Sequence, residues 1–373
     1  MIPVRMLHSA LIQCRNLFVC FFIAIHPLSA LAQEKEKSHD EVKPAQKAAL
    51  AVERLQSWYD PATGLYRTTG WWNSANAITT LADYSRATGD KQYNDVFPNV
   101  LTAAQRTSKG FLNSFYDDEG WWALAWIDAY DLTHEPGYLH MAESIFADMA
   151  ASWDDTCSGG IWWSKDRKYK NAIANELFLS VAAHLAARVD DKERKAQYLD
   201  WAQREWRWFS HTGMINAKHQ INDGLNASCN NNQQTIWTYN QGVVLGGLAE
   251  LYSISQDEAL LAEANAIASA TIVNPALTDP QGILHEPCEP KCGADGTQFK
   301  GIFVRNLAEL DRTSPSASYR DFLIRNAESV WKQMHAPEYE IGSTWAPPYR
   351  KANASTQGSG LDALVAHIEA TAR

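Results

Sequence analysis

The chain has 373 residues, 46% of them hydrophobic and 20% charged, with a formal net charge of −10. That composition can fill a sizeable core, and the length allows two domains or one closed architecture. An acidic chain without a basic run is a poor match to nucleic acid or to an anionic membrane surface.

The N-terminus has the pattern of a targeting segment. Arg5 and Arg15 precede the apolar run Leu17 to Ile25, and Ala30-Leu31-Ala32 puts small residues where a signal peptidase reads. That run is shorter than the roughly 20 residues a membrane-spanning helix needs. Residues 1–32 are expected to be a cleaved secretory signal, the alternative being an uncleaved anchor. No hydrophobic tail follows His367, which argues against a GPI anchor. Residues 33–43 (Q-E-K-E-K-S-H-D-E-V-K) are charged and expected to be a disordered leader. Residues 44–373 are expected to form one domain.

Beyond the signal, Cys157, Cys229, Cys288 and Cys292 remain, an even number in an oxidising compartment. Three pairings are possible. The favoured one closes the tight C-E-P-K-C loop with Cys288–Cys292 and joins two longer loops with Cys157–Cys229; zinc is the alternative. Asn226-Ala-Ser and Asn353-Ala-Ser are glycosylation sequons if the host is a eukaryote.

Apolar residues then recur at helical spacing, and strand alternation is hard to find. The spacing predicts helices over 44–58, 72–88, 91–106, 119–133, 136–152, 172–189, 191–210, 237–255, 257–272, 300–312, 315–334 and 357–372, with Pro98 able to kink or split the third. Short turns alternate with long loops. Short turns join antiparallel neighbours, so the chain reads as six helical hairpins, the first split across the termini. Gly70-Trp71-Trp72, Gly120-Trp121-Trp122 and Gly160-Ile161-Trp162-Trp163 recur where long loops enter helices. The helices after long loops are apolar around most of their circumference, as in A-I-A-N-E-L-F-L-S-V-A-A-H-L-A-A. Their partners, such as K-E-R-K-A-Q-Y-L-D-W-A-Q-R-E-W, are amphipathic. An inner ring within an outer ring satisfies both patterns. Every long loop then leads into an inner helix N-terminus, so all six N-termini share one face, where a cleft belongs.

Asp117 and Asp118 fall on that face, at the start of the second inner helix. Adjacent residues there diverge by about 100° around the axis, which puts the carboxyl groups roughly 5–6 Å apart, the spacing of a retaining glycosidase. A helix N-terminus favours an ionised carboxylate, and one ionised aspartate raises the pKa of its neighbour. The plain reading is an N-cap plus a first-turn acid. A magnesium site is a further alternative, but D-D-E-G lacks the repeated acidic spacing of diphosphate-binding helices.

About half of the tryptophans are expected in the core, including Trp201 and Trp206. Trp71, Trp72, Trp121, Trp122, Trp162 and Trp163 stand in the long loops or at inner helix starts and could offer flat faces to sugar C–H surfaces. Polar groups join them: Asn73 and Asn76 on the first inner helix, Asp223 in I-N-D-G-L-N, Tyr239, Asn240 and Gln241 on the fourth, and Lys300 opening the fifth. Each alone is a cap or a loop hydrogen bond; together they suit a polyhydroxylated ligand. His211, His219 and His285 have no metal-ligand spacing, and neither G-x-S-x-G nor a P-loop is present.

Y-D-D-E-G-W-W-A-L-A-W-I-D-A-Y-D-L-T resembles the central signature of glycoside hydrolase family 76, the endo-α-1,6-mannanases. G-G-I-W-W-S-K-D-R-K-Y-K-N-A-I-A-N-E-L-F, W-T-Y-N-Q-G-V-V-L-G-G-L and F-K-G-I-F-V-R-N-L are similar to its further blocks, in the same order, and the resemblance runs from about residue 45 to 370. It implies an all-α (α/α)6 toroid as catalytic domain, hydrolysis with retention, and no metal or other cofactor. It implies that the first of the two aspartates, Asp117, is the nucleophile and Asp118 the acid/base. Asp223, Tyr239, Gln241 and Lys300 match positions that line the family's cleft. With the N-terminal signal, the expected protein is a secreted monomer, extracellular or periplasmic, acting on α-mannan polysaccharide or a mannose-containing glycan. The alternatives are a transglycosidase of cell-wall mannan or a GPI-glycan, and a non-catalytic glycan-binding protein on the same toroid.

Overall fold

The computed structural model describes residues 42–372, so the expected signal and nearly all of the expected leader lie outside it. The unit Lys43–Arg373 is all-α. Twelve α-helices occur among the described residues: α1 Pro44–Gln56, α2 Trp71–Thr88, α3 Val96–Ala103, α4 Tyr116–Thr133, α5 Pro136–Ala150, α6 Ala172–Arg188, α7 Lys192–Phe209, α8 Thr238–Ser255, α9 Glu258–Ile272, α10 Phe299–Thr313, α11 Ala317–Gln333 and α12 Ala354–Thr371. None of these helices is long and apolar enough to cross a membrane.

Each expected helix is found, with starts displaced by three or more residues in α3, α4 and α12, the last beginning at Ala354 rather than 357. α3 begins at Val96 rather than 91, which puts Pro98 in the first turn. A missing N–H costs nothing there, so the proline sits at the start of a short helix instead of kinking a long one. α4 begins at Tyr116, three residues earlier than its apolar periodicity suggests. A two-strand hairpin, β1 Tyr59–Asp60 and β2 Leu65–Tyr66, occupies the first long loop and was not expected. Its strands are too short to carry an alternating pattern.

α2, α4, α6, α8, α10 and α12 pack each against the next, and α12 returns to α2, which closes an (α/α)6 ring. Their burial explains the all-round apolar sequence: α6 is buried without interruption from Ala172 to Ala186 and α12 from Ala354 to His367. α8 lies very close to its neighbour, since a Cβ on Gly242 would sit 2.6 Å from Phe303 Cα. Only glycine permits that approach. α1, α5, α7, α9 and α11 lie against the outside of this ring, and α1 on α12 is the hairpin split across the termini. On α7, Trp208 is buried, while Trp201 and Trp206 are only half-buried. Trp201 packs 5.6 Å from Trp153 and 5.5 Å from Phe178, between the two rings of helices.

Both disulfides of the favoured pairing are present. Cys157–Cys229 ties the loop after α5 to the loop after α7, and Cys288–Cys292 closes the tight loop before α10. The Asn353 side chain accepts a hydrogen bond from Thr356 N at 2.9 Å and caps α12, so this sequon asparagine is already engaged.

At the C-terminal ends of the inner helices, ion pairs run from helix to helix around a basin of about 530 Å³. Arg188 on α6 joins Asp131 on α4 at 2.7 Å to Glu250 on α8 at 2.6 Å. His184 meets Glu309 on α10 at 3.3 Å, and Arg312 meets Glu369 on α12 at 2.6 Å. Arg86 on α2 reaches Asp128 on α4 at 4.0 Å and also feels the charge of Glu369. Cations here also complement the negative ends of the helix dipoles.

Candidate active site

The opposite end of the ring, where the long loops meet the helix N-termini, holds a cavity of about 390 Å³. Its acids come from the first turn of α4. Phe115, the N-cap, is extended, and Tyr116 N donates to Trp163 O at 2.9 Å. Asn113 braces the entry, accepting from Phe115 N at 2.7 Å and donating its own N–H to Glu119 Oε1 at 3.0 Å. Glu119 is buried and paired with Lys165 at 2.8 Å, and burial pushes its carboxyl up to about 8.

Asp117 Oδ2 accepts a hydrogen bond from Trp163 Nε1 at 3.0 Å, while Oδ1 is buried with no partner. Asp118 Oδ2 accepts from Asn113 Nδ2 at 2.6 Å. Burial first, then the charge of Asp118, holds Asp117 well above the usual aspartate range. Burial lifts Asp118 to about 6; the Asn113 bond opposes that rise and the charge of Asp295 adds to it. Two adjacent buried carboxyls resist ionising together, so the pair holds a proton above the ordinary aspartate range.

Four rings from four inner helices form an aromatic wall: Trp72 on α2, Trp121 on α4, Tyr239 on α8 and Phe299 on α10. Trp72 stacks on Trp121 at 5.7 Å, and Tyr239 on Phe299 at 3.8 Å with 12° between the planes. Two further carboxylates face the cavity. Asp223 accepts from Tyr169 OH at 2.6 Å, and Asp295 accepts from Trp72 Nε1 at 3.0 Å. Burial raises Asp223, opposed by its bonds from Tyr169 and Trp237. No lysine or arginine is among the lining residues described. Flat apolar faces with acceptors at their edges suit sugar rings and their hydroxyls.

Of the residues singled out in the sequence, Trp72, Asp117, Asp118, Trp121, Trp163, Asp223 and Tyr239 meet in this cavity. Trp122 turns the other way, fully buried against Trp71, Phe111 and Trp126. Asn73 folds back to accept from Gly70 N at 3.2 Å. Asn76 lies beneath the cavity, accepting from Arg305 at 2.5 Å. Gln241 is fully buried and grips Ile221 through both its N–H and C=O at 2.8 and 2.9 Å. Lys300 is buried, paired with Glu289, and donates to Ser343 O at 2.7 Å. These five lie outside the cavity lining and brace it.

Phe115, Tyr169, Asn171, Asp295 and Phe299 line the cavity without having been singled out. Phe299 stands one residue before Lys300 in the block that opens the fifth inner helix, and Tyr169 and Asn171 lie in the third tryptophan block. Asp295 carried no signal beyond following the C-E-P-K-C loop. Among the described residues one group has metal-ligand proximity, His184, Glu250 and Glu309, with ligand atoms within 4.8 Å of one another. It belongs to the basin at the other end. There Arg188 already sits on Glu250 and the His184 ring on Glu309, so the protein's own cations neutralise these carboxylates.

The chain matches glycosyl hydrolase family 76 over residues 44–372. It is 28% identical over 312 residues to the mannan endo-1,6-alpha-mannosidase DFG5 of Candida albicans, covering 74% of this chain and 67% of that protein. The fungal relatives are longer: the chain spans from 46% to 73% of the length of those it matches. Among solved structures, the GH76A alpha-1,6-mannanase from Salegentibacter sp. HEL1_6 superposes with a TM-score of 0.78 at 25% identity, covering 87% of this chain and 99% of that one. An inactive variant of that enzyme, with two consecutive aspartates replaced by alanine and alpha-1,6-mannotetrose bound, shares the fold at a TM-score of 0.78 and 23% identity, over 88% of this chain and 99% of that one.

Proposed function

The chain belongs to glycosyl hydrolase family 76, and from that premise we propose that it cleaves α-1,6-mannosidic bonds within α-mannan with retention of configuration. Asp117 attacks the anomeric carbon and forms an ester to the mannosyl unit. The bond to the leaving oxygen breaks as Asp118 gives that oxygen its proton. Asp118, now ionised, takes a proton from water, whose oxygen displaces Asp117 and releases the sugar.

The observation that carries this reading is the placement of two consecutive carboxyls in the first turn of α4, within an aromatic cavity of sugar dimensions. The helix N-terminus favours the ionised form there. Burial presses harder on Asp117 than on Asp118 and by itself favours a proton on Asp117. The proposed roles need the reverse with sugar bound, and the N–H of Trp163 on Asp117 acts in that direction. The relatives named for mannan endo-1,6-alpha-mannosidase activity and the mannotetrose-bound neighbour support the substrate class. Secretion belongs to the same reading: two disulfides suit an oxidising compartment.

The test is turnover of α-1,6-mannan by the purified chain and by Asp117→Ala and Asp118→Ala. Loss of at least a thousandfold in each variant is expected; near-wild-type turnover in either would remove its assigned role. Mass spectrometry of products formed with an added acceptor sugar separates hydrolysis from transfer to a second glycan.

A further inference from the structure

Resting on the mannosidase reading above, we propose that Trp163 is both a positioning residue for Asp117 and, together with Phe115, a platform for a mannosyl unit at the cleft rim. Among the described residues Trp163 is the one side chain that hydrogen-bonds Asp117. An N–H pointed at a carboxylate stabilises its charged form and fixes its rotamer. Apart from an edge contact with Tyr169 at 6.3 Å and its packing on Phe115, the ring is left to the cleft. Trp163 and Phe115 are 36% and 37% exposed, two of only three large hydrophobic side chains that open to solvent among the described residues. Their rings lie 5.0 Å apart beside the two acids. Leaving a tryptophan and a phenylalanine in water forgoes burial that an ordinary loop would seek, and a sugar face is a partner of matching shape.

The loop that carries Trp163 is built to hold still. Its backbone is zipped to the start of α4: Tyr116 N donates to Trp163 O, Lys165 N donates to Ser114 O at 3.0 Å, and Phe115 bridges Ser164. Behind it, the buried Lys170 ammonium donates to Asp154 Oδ1 at 2.9 Å and to the carbonyls of Thr156, Gly159 and Gly160 at 2.7–2.9 Å. Asp154 also accepts from Trp162 Nε1 at 2.7 Å. The neighbouring tryptophan thus serves the scaffold while Trp163 serves the cleft. The ring and the α4 aspartates therefore move as one unit, which is what a preorganised nucleophile requires.

Other titratable groups share the cavity with Asp117, and of these Asp118 raises it. Asp118 lies beside it on α4, Tyr169 and Asp223 face it from the loops before α6 and α8, Tyr239 from α8, and Asp295 from the loop before α10. All are acids or phenols, so Trp163 is the side chain that offsets them, alongside the backbone N–H groups of Asp117 and Asp118.

Trp163→Phe keeps a flat ring and loses the N–H; Trp163→Ala loses both; Phe115→Ala loses only part of the platform. Carboxyl ¹³C NMR of Asp117 across pH needs no substrate. In Trp163→Phe its ionisation is expected to move up by about one pH unit, a tenfold shift in proton affinity of the size a charge-assisted hydrogen bond supplies. The acid limb of kcat/KM on α-1,6-mannotetraose moves with it, while KM stays within about twofold. Trp163→Ala adds a rise in KM of about tenfold, within the range of one stacked ring. Phe115→Ala raises KM and leaves the pH profile in place. An unchanged Asp117 titration in Trp163→Phe overturns the positioning role, and unchanged KM in both alanine variants overturns the platform. If the wild-type chain leaves α-1,6-mannan intact, the mannosidase reading fails and the platform with it, while the titration still decides the positioning role.

Discussion

Asn113 donates its side-chain amide to Asp118 across 2.6 Å, from the loop that runs directly into the helix carrying that aspartate. The bond favours the ionised form of a carboxyl that burial has lifted to about 6. Asn113→Ala removes a lowering influence, so Asp118 should hold its proton to higher pH. As general acid it must be protonated, so the alkaline limb of kcat/KM is expected to rise by about one pH unit. A pH–rate profile on α-1,6-mannotetraose checks this; a limb that stays or falls assigns the titration to another group.

Glu286 is buried beneath the start of α8, where it accepts from Thr238 N at 3.3 Å and from the Thr238 hydroxyl. Burial raises its carboxyl from the ordinary 4.5 to about 8. Between those values the folded chain keeps a proton that the unfolded chain has lost, so this group's contribution to stability declines as pH rises through that window. Glu286→Gln keeps an acceptor and removes the titration. Its Tm relative to wild type should therefore climb from pH 5 to pH 8, by an amount on the order of a few kcal/mol in stability. A pH-independent difference would contradict the assignment.

Arg188 links three inner helices at the end of the ring remote from the cleft. Arg188→Met leaves Asp131 and Glu250 facing each other without their shared cation. Loss of about 3 kcal/mol is expected, as for other partly buried pairs deprived of one partner. Calorimetry should show the lower Tm, and kcat/KM at 25 °C should stay within about twofold because the cleft lies at the opposite helix ends.

Cys157–Cys229 joins the loop bearing Trp163 and Tyr169 to the loop bearing Asp223. Serine at both positions should lower stability by about 2–4 kcal/mol, because a long loop is freed in the unfolded chain. KM should also rise, since both loops feed the cleft. Replacing Cys288 and Cys292 frees only a short loop and should cost less stability. The wall that it shifts is that of Asp295, since a Cβ on the adjacent Gly296 would lie 2.7 Å from Cys292 Cβ.

The ring of helices was legible because its signal is periodic. The all-round apolar pattern of Ala172–Arg188 has no stable home except between two layers. The acids were legible too, since helix order alone puts Asp117 and Asp118 on the loop-entry face. The direction of single side chains was harder to read. Trp121 and Trp122 differ by about 100° around one axis, and that angle alone sends one to the cleft and the other to the core. Gln241, two positions after Tyr239, falls on the far side of α8 for the same reason. Lys300 and Asp295 depend on how an irregular loop turns, which has no period to read. Lys300 is drawn inward by Glu289 and the Ser343 carbonyl, while Asp295 is held at the cavity by Trp72.

The roles proposed for Asp117 and Asp118 amount to cleavage of an α-1,6-mannosidic bond by double displacement. Proton NMR of the first-formed anomer, recorded as the purified chain acts on linear α-1,6-mannan, tests it most directly. The α-anomer is expected first, relaxing to the equilibrium mixture by mutarotation, with no product from Asp117→Ala. The β-anomer first, or undiminished product from Asp117→Ala, would contradict it.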